Sequence, residues 1–134
     1  MSTAGGTPTR AAGASGCGAT GWASQAGRCS IRGELRRQLP HGILLAVGLN
    51  DSARVGRPDG RHQLDAEGFL FGLQQLLHQA RRSAPVLVLG LTPVDEAAMP
   101  YAEVLWYGLD QVRRYERLLE EACLEADVPF LPLL

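Results

Sequence analysis

Asn50 and Asp51 follow a run of five apolar residues, Ile43-Leu44-Leu45-Ala46-Val47, across the short link Gly48-Leu49. An asparagine amide is an uncharged N–H donor, and such donors suit the negative charge that develops on oxygen when a carbonyl is attacked. The same pair is also ordinary turn chemistry, because Asn and Asp side chains hydrogen-bond nearby backbone and tolerate turn conformations. The local pattern leaves both readings open. Gly48 allows a tight bend before the polar pair. The apolar run fits a central parallel strand covered on both faces. In open α/β sheets, ligands bind beyond the carboxyl ends of the strands, which is where Asn50 falls.

Thr92, Trp106 and Tyr107 belong to a second irregular stretch, Gly90–Gly108, which follows the apolar run Val86–Leu89. The two aromatics can line a pocket or cover a sheet edge. Asp95 and Glu96 have the composition of a catalytic carboxylate pair. Nothing in the sequence gives them a pKa-raising environment, so they read as solvated turn residues. Of the three histidines, His41 precedes the first apolar run, at the opposite end of the strand from Asn50. His78 falls on the polar side of a predicted helix. His62 lies in the polar stretch after Asp51 and can approach the same edge. Ser52 comes directly after the Asn50-Asp51 pair and would be on the wrong side of a carbonyl held by Asn50. Cys17, Cys29 and Cys123 lack CxxC spacing and read as neither a disulfide framework nor a zinc site, although Cys17 and Cys29 could pair in an oxidising setting. Cys123 falls on an apolar helix face, as a small core residue does.

These residues need elements to place them. Residues 1–30 are rich in Gly, Ala and Ser, with Trp22 as a lone large side chain, and are expected to be irregular. Their usage of Ala, Gly, Arg, Pro and Ser matches what GC-rich DNA encodes in any frame, so a misassigned start is expected there. Residues 31–134 are expected to form an α/β domain. Ile31 to Gln38 reads as a short basic helix stopped by Pro40, with Arg32, Arg36 and Arg37 on a solvated face. Ile43–Val47 is the first strand and Leu49–Gln63 a long polar loop. Asp65 caps a helix running to about Arg82, with Phe69, Leu73, Leu76, Leu77 and Ala80 on its apolar face. Val86–Leu89 is a second strand, and Gly90–Gly108 a loop in which Pro93 and Pro100 block regular structure. Asp110 to Ala126 is a third helix, with Val112, Tyr115, Leu119, Ala122 and Ala126 at alternating steps of three and four. Val128–Leu133 is a third strand. Strands alternating with helices of this length predict a parallel sheet with right-handed crossovers. The two long loops then share one sheet edge, and long loops in compact α/β domains are usually functional.

A chain of 134 residues with formal net charge −1 fits one domain and shows no bulk charge for nucleic acid or a membrane surface. No apolar run is long enough to span a bilayer. Met1 to Ala12 lacks the apolar core of a signal peptide, so a cytoplasmic location is the default expectation.

Three stretches carry a resemblance: "ILLAVGLNDSARVG", "APVLVLGLTPVDE" and "EEACLEADVPFLPLL". A strand ending in Gly-x-Asn-Asp, about forty residues before a strand ending in a Thr-Pro loop, then an acidic helix leading into a "VPFLPL" strand, resembles the SGNH (GDSL-type) hydrolases. The resemblance covers roughly residue 35 to the C-terminus. It implies a three-layer α/β/α flavodoxin-like fold, here truncated to about three strands. It also implies hydrolysis of esters, thioesters or acetylated sugars through a serine acyl-enzyme, without a metal or organic cofactor. Asn50 matches the family's oxyanion Asn, Gly48 its turn glycine, and Asp51 the residue expected to brace that loop through backbone hydrogen bonds. The family's oxyanion glycine has its candidate in Gly16, within Gly13-Ala14-Ser15-Gly16, with Gly18 and Gly21 competing. Thr92, Trp106 and Tyr107 are candidate pocket residues. The Gly-Asp-Ser nucleophile and the late Asp-x-x-His have no counterpart in this sequence. The resemblance therefore implies a serine ester hydrolase in an incomplete, weakly active or inactive form, acting on a small-molecule ester. The rival expectation is a non-catalytic α/β module that binds a ligand or partner at the same edge. Exposed sheet edges make self-association a further expectation.

Overall fold

The computed structural model describes residues 40–134. The expectations for residues 1–30, for a helix at 31–38 and for Gly16 lie outside the described residues. Strand β1 (Ile43–Ala46) leads into a one-turn helix α1 (Leu49–Ser52) and a short strand β2 (Arg54–Val55). Helix α2 (Ala66–Arg81), strand β3 (Val86–Leu89), strand β4 (Leu105–Trp106), helix α3 (Leu109–Glu125) and strand β5 (Phe130–Leu131) follow. The main sheet has the order β1-β3-β5, and both pairings are parallel. A second, antiparallel ribbon pairs β2 with β4. This is the expected parallel α/β arrangement. None of the helices among the described residues is long and apolar enough to cross a membrane.

Both long helices form where the sequence spacing places them. Asp65 caps α2, its carboxylate accepting from the Gly68 N–H at 2.8 Å. The stripe Phe69, Leu73, Leu76, Leu77 and Ala80 is buried. On α3, Val112, Tyr115, Leu119, Ala122 and Cys123 are buried, while Ala126 lies just past the helix end and is only partly covered. Successive strands are added on one side of the sheet, so right-handed crossovers bring both helices to the same face. There α2 and α3 pack against each other and over Leu45, Val86 and Val88. The side chains of Leu44, Leu87 and Leu131 point the other way and are exposed.

That last observation differs from the expectation of a central first strand buried on both faces. Among the described residues β3 is central, β1 is at an edge, and one sheet face is covered by helices. The run Ile43–Val47 is continuously apolar in sequence, yet its burial alternates as on a half-covered strand. The third strand is also shorter than expected. Pro129 and Pro132 flank it and have no N–H to give the ladder, so pairing is confined to Phe130–Leu131.

Candidate functional site

The two long loops are not structureless. After α1 the chain pairs as β2 with β4, with Arg54 opposite Trp106 and Val55 opposite Leu105. The Gly56 N–H donates to Val104 O at 2.8 Å and extends the seam. On its other side β2 folds back on residues 61–63, through Val55 N–H to Arg61 O at 2.9 Å and Gln63 N–H to Ala53 O at 2.8 Å. The ribbon therefore sews the loop after β1 to the loop after β3. Segments of two residues carry no readable periodicity, which is why the sequence pattern shows only irregular stretches here.

Gly48 ends β1 with φ 108°, in the left-handed region that favours glycine. A Cβ there would also lie 3.0 Å from the Phe69 ring. The bend starts α1, which presents Asn50 half-buried at the carboxyl edge of β1. The Tyr107 hydroxyl donates to Asn50 Oδ1 at 2.7 Å, across 57 positions of sequence. Asn50 Nδ2 has no hydrogen-bond partner among the described residues.

Asp51 is 1% exposed, and its Oδ1 has no hydrogen-bond partner among the described residues. Burial pushes its pKa up to about 6, against a smaller opposing pull from its own backbone N–H. Ser52 is fully buried, and its hydroxyl donates to Leu49 O at 2.6 Å. It closes the helix turn and is not presented as a nucleophile.

A cleft of about 620 Å³ opens beside Tyr107, with Arg54, Glu96, Met99, Trp106, Asp110 and Gln111 among its walls. Trp106 and Tyr107 share the cleft, and Tyr107 alone of the two bonds to Asn50, which is not itself among the cleft's walls. Thr92 does not line it. Leu91 is buried with its N–H held by Glu116 Oε1 at 3.2 Å, and the chain turns outward so that Thr92 is exposed and off the cleft. Glu96 has a structural task, since its Oε1 accepts from the Leu109 N–H at 2.9 Å at the start of α3. Asp95 caps the short 3₁₀ turn Glu96–Ala98 by accepting from Ala97 N–H at 3.0 Å.

Sequence reasoning missed Arg54, Asp110 and Gln111, whose only signal was their place beside the two loops. Gln111 Nε2 donates to Asp110 Oδ2 at 2.7 Å, while Gln111 Oε1 pairs with His62 Nε2 at 2.8 Å. That amide holds Asp110 below the usual carboxylate range, and Arg54 adds to the effect. The His62 ring rests against Tyr115 at 5.4 Å. His62 therefore reaches the cleft wall through Gln111, whereas His41 and His78 are exposed away from it. No group of three or more His, Cys, Asp or Glu placed to hold a metal ion occurs among the described residues.

No curated protein matches this chain. The profile of the GDSL-like lipase/acylhydrolase family matches residues 2–134, beyond the span that the three sequence stretches cover. With a parallel sheet whose carboxyl edge carries Gly48, Asn50 and Asp51, the chain belongs to the GDSL-like lipase/acylhydrolase family.

Proposed function

We propose that this protein is an incomplete and weakly active form of a serine ester hydrolase that acts on small-molecule carboxylic esters through an acyl-enzyme, with Asn50 as an oxyanion donor. The observation that carries this reading is the Asn50 amide. It stands at the carboxyl edge of β1 with Oδ1 engaged and Nδ2 without a partner among the described residues, bonded to the Tyr107 that lines a cleft with Trp106. An N–H pair preset in this way stabilises charge that appears only as the carbonyl is attacked, and costs no reorganisation at that moment. Gly48 and the α1 turn fix where Asn50 stands. Gly16 is the second donor suggested by the family pattern. Short acyl esters, thioesters and acetylated sugars are the candidate substrates.

The test is turnover of p-nitrophenyl acetate by the full chain, its loss on treatment with a serine-reactive phosphonate, and its dependence on Asn50. Asn50→Asp keeps an acceptor for Tyr107 and removes the N–H donor, so kcat should fall by about 10²–10³ with the fold intact. A specific observation favours a second reading, a binding module without turnover. Ser52 is buried and bonded to a helix carbonyl, and His62 is bonded to an amide. Saturable binding of an acetylated sugar with no phosphonate-sensitive turnover would establish that reading instead.

A further inference from the structure

We infer that Tyr107 is the positioning residue of the oxyanion donor, its hydroxyl fixing the Asn50 amide so that Nδ2 faces the acyl oxygen. The inference rests on the ester-hydrolase reading above and adds a residue to it. The Asn50 side chain ends in an amide. Its oxygen and nitrogen are nearly the same size, and a half-buried Asn can flip between two orientations at little steric cost. Flipped, Asn50 would spend an N–H on the phenol and turn its carbonyl dipole toward a developing negative charge. A phenol that donates to Oδ1 selects the productive orientation, and the 2.7 Å hydroxyl–carbonyl distance is that of a well-formed hydrogen bond.

Tyr107 is itself held. It is 7% exposed, its backbone N–H donates to Met99 Sδ at 3.3 Å, and its ring meets Tyr101 nearly edge-on at 6.3 Å. It also directly follows β4, whose partner β2 begins two residues after Ser52. The β2–β4 ribbon thus fixes the phenol relative to the turn that bears Asn50. Burial, then the neighbouring Tyr101 and Asp51, push the Tyr107 pKa above its ordinary value, so the hydroxyl keeps the proton it donates. Tyr107 touches the donor and not the reacting atoms, and so acts through Asn50.

The experiment compares the full chain with Tyr107→Phe, Asn50→Ala and the double variant on p-nitrophenyl acetate. Tyr107→Phe should lower kcat about 10-fold and leave KM within about two-fold, because the lost interaction matters only in the transition state. In the Asn50→Ala background it should have no further effect. If Tyr107→Phe keeps full kcat while Asn50→Ala is impaired, the positioning role is overturned and the hydrolase reading stands. If Asn50→Ala keeps full activity, the hydrolase reading itself falls. A second measurement needs no turnover: the side-chain ¹H–¹⁵N resonances of Asn50. They should sharpen and move toward free-amide positions in Tyr107→Phe, and resonances that do not change overturn the positioning role directly.

Discussion

Asp51→Asn should stabilise the protein at neutral pH and leave it little changed in acid. Asp51 is 1% exposed, its Oδ1 has no hydrogen-bond partner among the described residues, and its pKa is raised from 3.8 to about 6. Burial penalises the charged form by more than its backbone N–H favours it, so the folded state holds the proton more tightly than the unfolded chain does. Below about pH 4 the group is neutral in both states and costs nothing extra. Between about pH 4 and 6 the unfolded chain releases the proton first, and stability falls as pH rises. Above about pH 6 the penalty is constant. The gap between 3.8 and about 6 amounts to about 3 kcal/mol, at about 1.4 kcal/mol per pH unit. For a domain of this size that is about 10 °C in Tm.

The assay is urea unfolding of both proteins at a series of pH values from 4 to 8, read as the difference between them. Other titrating groups cancel in that difference, and any cost of burying the Asn amide is independent of pH. The Asn variant should gain on the parent by about 2–2.5 kcal/mol between pH 4 and pH 7, with most of the change centred between 4 and 6. A difference that stays flat across that range would refute the reasoning, because it would mean Asp51 titrates alike in the folded and unfolded chain.

Other outcomes follow from close packing and burial. A Cβ at Gly90 would be driven into Glu116 Oε1 and would lie 2.8 Å from Leu133 N and 3.1 Å from Leu131 O. Glu116 cannot retreat without releasing the N–H groups of Leu91 and Leu133, each at 3.2 Å. Gly90→Ala should therefore cost about 2–3 kcal/mol in denaturant unfolding, with the C-terminal segment losing amide protection first. Gly48→Ala combines a φ of 108° with a 3.0 Å approach to the Phe69 ring. It should lower stability by about 2 kcal/mol and shift the Asn50 side-chain resonances, and an unchanged spectrum would show that Gly48 does not set the position of α1. Cys123 is fully buried with its thiol pKa raised to about 11, chiefly by burial and then by Glu120. It should resist a thiol reagent at pH 8 in the folded protein and react once urea unfolds it, and rapid labelling of the native state would contradict the packing of α3.

The two long helices and the cores of the first two strands are legible in the sequence because burial there follows a period that a pattern can carry. Phe69, Leu73 and Leu76 repeat at helical steps, and Asp65 marks the start of their helix with a capping side chain whose chemistry is local. The candidate site is legible only at its Gly48–Asn50–Asp51 half, because one strand end and one tight bend fix it. The other half depends on partners far apart in sequence. Tyr107 meets Asn50 because β2 and β4 pair, and neither two-residue strand has a signature of its own. The burial of Asp51 is likewise set by distant packing, since α1 lies against α3. The apolar run of β1 misleads in a further way. A strand with apolar residues at every position is ambiguous between two covered faces and one, and only the crossover geometry, which puts α2 and α3 on the same side, shows that Leu44 and Leu87 lie on the face those helices leave open. On the proposed function, Asn50 is therefore positioned by a seam between loops. Substitutions in that seam, at Val55 or Leu105, should disturb Asn50 more than equally conservative changes in the better-patterned α2.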